Sequence, residues 1–240
     1  MSKADLGSSV LDNCIRHNKK CQESGNTKDM LSMQDIVGNV NIFVFAGTDT
    51  SQNTTELSLC RMAEIPDMIK LLQTASDRVY DKGSWLTSSA RLEGDLFLSL
   101  WLKEALRMNT APLRSLARQA LEYVTIKDIK IKKGDIVCED LQNIKCSPIY
   151  FKDPELFKPD RFSKPMSKDV ERYAYNPFWQ GKRNWIGKNL GQIMILIIVT
   201  QFCKMYDFKK PDGIEYIKKQ IVLVTEGNPW IDIKIRNLPE

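Results

Sequence analysis

Histidine is almost absent from this sequence, with His17 the only one. Most acid–base relays and metal sites built on imidazole are removed with it, because each needs a ring nitrogen at the reacting centre. Six cysteines are present (Cys14, Cys21, Cys60, Cys138, Cys146 and Cys203), but none stands in a Cys-x-x-Cys pair. That scatter argues against a disulfide framework and against a structural zinc, and it reads as reduced, buried thiols. Long apolar runs are missing too. The longest, residues 193–199, falls far short of the roughly 20 residues that a membrane helix needs. The opening residues, MSKADLGSSVLDNC, have no apolar core of the secretory kind. A net charge of +5 over 240 residues is too weak to argue for a nucleic-acid partner.

What is present suits a folded globular chain. Hydrophobic residues make up 42% and charged residues 27%, a balance that does not point to disorder. Residues 1–31 read as a short helix near residues 10–15 and a polar loop, and residues 32–240 as one larger domain. Ser32 and Asp35 form a capping-box pattern. After it Ile36, Val40, Phe43, Val44, Leu57 and Met62 recur at helical spacing. Pro66 opens a second helix, and a third is expected over residues 92–108. Residues 123–140 alternate β-branched and polar side chains, which predicts a hairpin turning at Lys133-Gly134-Asp135. The Pro- and Asp-rich residues 147–165 read as coil. An apolar helix is expected over residues 190–206, then two strands around EGNPW. The fold class is therefore mainly α with a small β-hairpin sheet.

Four short motifs could carry chemistry. AGTDTS (residues 46–51) lies inside the long helix, where Gly47 suits close helix packing. It also suits a local opening at which Asp49 and Thr50 hold a water and pass protons to a bound oxidant. KEALR places Glu104 and Arg107 three apart on one helix face, an ordinary pair unless a third partner joins it. FKPDRF supplies a candidate third partner in Arg161, since two guanidinium forks can bind one carboxylate from two sides. FWQGKRNWIG puts Phe178, Gly181, Arg183, Trp185 and Gly187 just ahead of an apolar helix. Its glycines suit a tight loop passing a flat surface.

In this order and at these separations, the motifs resemble those of the cytochrome P450 family of haem-thiolate monooxygenases. The match runs from about residue 32 to residue 208, corresponding to the family's C-terminal half, so the fold implied is P450-like but truncated. The resemblance implies proton delivery to iron-bound oxygen by Asp49 and Thr50, a groove shaped by Ala46 and Gly47, and a core ion cluster of Glu104, Arg107 and Arg161. It also implies a haem cofactor, with Arg118 of LARQA and Arg183 on its propionates and Phe178, Gly181 and Gly187 in its loop. An NADPH-dependent reductase or other electron donor, a small lipophilic substrate and, in many members, the endoplasmic reticulum membrane are implied as well. The sequence departs from the family at position 185, where Trp185 stands in place of the cysteine that ligates iron. Indole offers an N–H donor and no lone pair for a metal. Two expectations follow: a haem-dependent monooxygenase, or a non-catalytic remnant of the family that acts as an interaction module or does not fold alone.

Overall fold

The computed structural model describes residues 9–81, 84, 86–109, 115–166, 170–212, 220–221, 224–225 and 230–236. Its contacts separate into two compact units, residues 1–49 and 50–240. One helix, α2 (Met33–Ala63), runs through the division.

The first unit is held by short-range polar bonds. Ser9 caps α1 (Val10–Glu23): its Oγ accepts from Asp12 N at 3.1 Å, and its own N–H donates to Asp12 Oδ2. Such a cap stabilises a helix by about 1 kcal/mol. The helix runs well past the expected residue 15, because Cys14 and Cys21 continue a buried stripe at helical spacing. Asn18 clamps the backbone of Leu31 from both sides, at 2.7 and 2.8 Å. His17 Nε2 lies 2.8 Å from the Asp29 carbonyl, so the chain's one histidine serves this turn. Ser32 and Asp35 form the reciprocal bonds that start α2, as their spacing suggests.

The second unit is built on α3 (Pro66–Val79), α5 (Leu96–Met108) and α7 (Lys188–Met205), which pack on one another. Met62, Leu72, Leu98, Trp101, Leu196 and Val199 are almost wholly buried where they meet. Each large side chain buried this way contributes about 1.5–3 kcal/mol, which makes this cluster the main source of stability. Trp101 Nε1 finds a soft acceptor in Met62 Sδ at 3.3 Å, so its burial leaves no orphan donor. The helix expected over residues 92–108 is two. Gly94 ends α4 (Ser89–Gly94), and Asp95 caps α5 by accepting from Leu98 N at 3.0 Å. Among the described residues no helix is long and apolar enough to cross a membrane.

The strands are short and pair in four separate twos. Strand β1 (Arg118–Gln119) pairs with β4 (Ile136–Val137), and β2 (Val124–Ile126) with β3 (Ile129–Ile131). The hairpin thus turns at Lys127-Asp128, with Lys127 at φ 51°, and not at Lys133-Gly134-Asp135. The glycine turn does exist, with Gly134 at φ 93°, but it leads from β3 into β4 toward a different partner. In the tail, strands flank residues 226–230 as expected, but they do not pair with each other. Strand β8 (Asp232–Ile235) pairs with β5 (Tyr206–Lys209), directly after α7, while β6 (Gln220–Ile221) and β7 (Val224–Thr225) pair with each other. The segment between Met108 and α7 holds α6 (Leu141–Lys145), a 3₁₀ turn at Pro159–Phe162 and a π-helical turn at Val170–Ala174.

Candidate functional site

Glu104, Arg107 and Arg161 meet around one carboxylate. Glu104 and Arg107 lie on α5 and are wholly buried. Arg107 grips Glu104 as a fork, Nε to Oε2 at 2.8 Å and Nη2 to Oε1 at 3.0 Å. Arg161 Nε donates to Oε1 at 2.9 Å, and the backbone N–H of Lys158 reaches the same oxygen at 2.8 Å. The remaining guanidinium hydrogens hold the coil in shape. Arg107 donates to the carbonyls of Lys145 and Pro154, and Arg161 to those of Lys152, Asp153 and Leu156. An irregular segment has no ladder of its own, so these carbonyls find their donors here. Phe151 lies under Arg107, 5.1 Å from the ring centroid. Tyr175 is half-buried beside the cluster, and desolvation followed by the Glu104 charge pushes its hydroxyl well above the usual range. The backbone partners, Lys158 and the carbonyls, carried no sequence signal. They follow from the geometry of the coil.

The FWQGKRNWIG loop is closed by Trp185 N donating to the Phe178 carbonyl at 2.9 Å. The rings of Phe178 and Trp185 stack, 5.6 Å apart and 11° from parallel. The indole also lies flat against α7. A Cβ added to Gly187 would sit 3.3 Å from its Cζ2, and one added to Gly191 only 2.8 Å from its Cζ3. Ser51 Oγ lies 3.9 Å from that same point. Gly191 is therefore required by the indole, a role that spacing alone did not single out. Gly181 sits at φ 74°, where glycine is favoured, but Trp179 sits at φ 58° with a large side chain. Left-handed backbone costs a bulky residue about 1–2 kcal/mol.

The seating of Trp185 gives a direct test. Gly191→Ala should cost about 1–3 kcal/mol in the chain as it stands, because a packed aromatic ring has no slack. In a Trp185→Cys background the same change should be close to neutral, and a double-mutant cycle in urea measures the difference. Equal costs in both backgrounds would place the indole elsewhere.

The other expected site residues are spread over α2 and the small strands. Ala46, Gly47 and Asp49 are half-buried on α2 in the first unit, and Thr50 begins the second. The helix is unbroken there, without the local opening weighed for AGTDTS. Thr55 and Ser58 bond back to the carbonyls four residues earlier, and the buried polar run from Ser51 to Ser58 stays helical. Arg118 is exposed on β1. It lines a cavity of about 650 Å³ together with Ser115, Val137, Tyr173, Asn176 and Trp179. The side chain of Arg183 lies outside the described residues.

A mainly helical unit carrying a buried Glu104–Arg107–Arg161 cluster, a pinned coil and an aromatic loop ahead of an apolar helix is P450-like in its arrangement. The family model for cytochrome P450 matches residues 7–231. The chain is 32% identical over 185 residues to cytochrome P450 3A27 of Oncorhynchus mykiss, covering 77% of this chain and 35% of that protein. To cytochrome P450 3A18 of Rattus norvegicus it is 31% identical over 213 residues, 88% of this chain and 42% of the relative. Cytochrome P450 3A25 of Mus musculus is 31% identical over 182 residues. The chain belongs to the cytochrome P450 family and spans 35–42% of the length of these relatives.

The residues at the ligand position do not fit a haem held by thiolate. Position 185 offers an indole whose only polar group is a donor, and its ring is stacked on Phe178 and pressed against Gly191.

Proposed function

We propose that this chain keeps the core scaffold of a haem-thiolate monooxygenase while Trp185 has turned the ligand loop into a self-packed loop. The observation that carries this reading is the indole seated between Phe178 and Gly191. A cysteine at that point would expose a lone pair, whereas tryptophan fills the space and closes the loop on itself. The family's chemistry is oxidation of a small lipophilic substrate with O₂, haem iron and electrons from a reductase. On this reading that chemistry belongs to relatives that carry the cysteine, and this chain acts as a non-catalytic member.

A second reading, a working monooxygenase, is favoured by the intact Glu104–Arg107–Arg161 cluster and by Asp49 and Thr50 in the helix motif. In it, Asp49 and Thr50 handle protons, Ala46 and Gly47 line the groove, and Arg118 and Arg183 bind propionates.

Haem titration of the purified chain, with and without Trp185→Cys, separates the two. The reduced carbon monoxide complex is then recorded for each protein. The unaltered chain should give no thiolate-type spectrum, and Trp185→Cys should gain one. A thiolate-type spectrum from the unaltered chain would support the working enzyme and defeat the first reading.

A further inference from the structure

Lys145 belongs to none of the motifs above. It ends the short helix α6 on the same face as Leu141, four residues earlier, and is 1% exposed. Its Nζ is buried with no hydrogen-bond partner. Lysine is rarely buried this way unless paired, because three N–H groups lose water and gain nothing.

The Lys145 carbonyl accepts from Arg107 Nη1 at 2.7 Å, and the Arg107 charge acts on the amine. Cys146 beside it on the chain and Arg107 on α5 are the groups that act on its charge, and neither is a carboxylate. Arg61 of α2 is half-buried, acts together with Arg107 and Lys145 on Cys146, and also has a buried Nε without a partner. Glu155 reaches Arg61 and Cys146, while Glu104 is engaged by Arg107 and Arg161. Arg107 places four of its N–H groups and has one more to give. The cluster therefore keeps two buried donors, Lys145 Nζ and Arg61 Nε, without an acceptor, although Glu64 and Glu155 act on Arg61 and Glu104 is shared by two arginines.

We propose that Lys145 is a carbamylation site, its neutral amine adding to dissolved carbon dioxide to form a buried carbamate. The amine lone pair forms the N–C bond, one C=O π pair moves onto oxygen, and an N–H proton leaves to water. R–NH₂ and CO₂ give R–NH–CO₂⁻ and H⁺, with no change of oxidation state. The product replaces a cation by an anion with two acceptor oxygens beside Arg107, in the cluster that contains Arg61. Burial first, then the Arg107 charge, brings the Lys145 ammonium down to about 7, so the reactive neutral form is available near neutrality. Carbon dioxide is small and uncharged, and Cys146, next to Lys145 on the chain, is half-buried.

The test is independent of the haem reading. The purified chain is equilibrated with ¹³C-bicarbonate, alkylated with a trialkyloxonium reagent to fix any carbamate as its ester, digested and mapped by mass spectrometry. The label should lie on the peptide containing Lys145 and be absent from Lys145→Met. At fixed dissolved carbon dioxide, occupancy should fall at least about tenfold from pH 8 to pH 6, following the neutral amine. Thermal stability should rise with bicarbonate and not with chloride at equal ionic strength. No label on Lys145 would overturn the proposal, as would a label that survives Lys145→Met. So would equal stabilisation by chloride, which would mark a non-covalent anion. If Lys145→Met does not fold, the peptide map of the unaltered chain still decides.

Discussion

Glu104→Gln should lower the unfolding free energy of the chain by about 3–5 kcal/mol, the usual cost of removing one partner from a buried ion pair. Glu104 accepts four hydrogen bonds, three from guanidinium groups and one from Lys158 N. Glutamine keeps the shape but removes the charge that two arginines face, and it turns an amide NH₂ toward donors. Arg107, wholly buried, is then a cation without a counter-charge. Domains are stable by only about 5–15 kcal/mol in total. A loss of this size should move the urea midpoint strongly, or leave the variant unfolded at room temperature. The coil from residue 147 to residue 165 should become protease-sensitive first, since its carbonyls lose their donors together. An unchanged urea midpoint would mean that the cluster is ornamental to stability.

The second large effect has the opposite sign. Lys145→Met should stabilise the chain by about 2–4 kcal/mol in buffer freed of carbon dioxide, near pH 7. Methionine has nearly the volume of the lysine stem and leaves no orphan N–H. The sign follows from proton counting. Lys145 falls from 10.5 in an ordinary setting to about 7 when folded. Between these values the unfolded chain binds the proton that the folded chain has lost. Stability therefore rises with pH across that window and is flat, for this group, below about pH 7. Lys145→Met should remove that slope, which denaturant midpoints at several pH values would show. A variant less stable than the parent at every pH would mean that the amine has a partner after all.

Long amphipathic elements were legible in the sequence, and short pairings were not. The helices α3, α5 and α7 carry enough apolar positions at helical spacing to be read directly, and Pro66 marks a start by its fixed φ. The break at Asp95 lay in plain view as a capping residue, yet the apolar content of residues 96–102 drew the helix through it. Strands of two to four residues have no measurable period. Which segment β4 or β8 joins was thus decided by contacts distant in sequence. The glycine at 134 outranked Lys127-Asp128 as a turn signal, although the hairpin forms at the weaker one.

The same contrast holds at the site. Glu104 and Arg107 were visible as a spaced pair, and Arg161 as an arginine needing a partner. Trp185 was visible as a departure, and its bulk already suggested intrusion. That it would stack on Phe178 and depend on Gly191 needed the loop's path in space. Lys145 is not legible in the sequence, because its neighbours Asn143 and Cys146 give no hint of burial. Only the spacing to Leu141, one helical turn away, could have suggested it.

The carboxylate of Glu104 also sets an order of events. Its bonds to Lys158 and Arg161 close loops of 54 and 57 residues. Closing such loops loses entropy before any contact repays it, so these bonds should form after the rate-limiting barrier, on the native side. Substitutions at Arg161 should then leave the refolding rate nearly untouched and raise the unfolding rate. The coil pinned at its end would act as a latch on an assembled core, lengthening the native lifetime without hastening its birth.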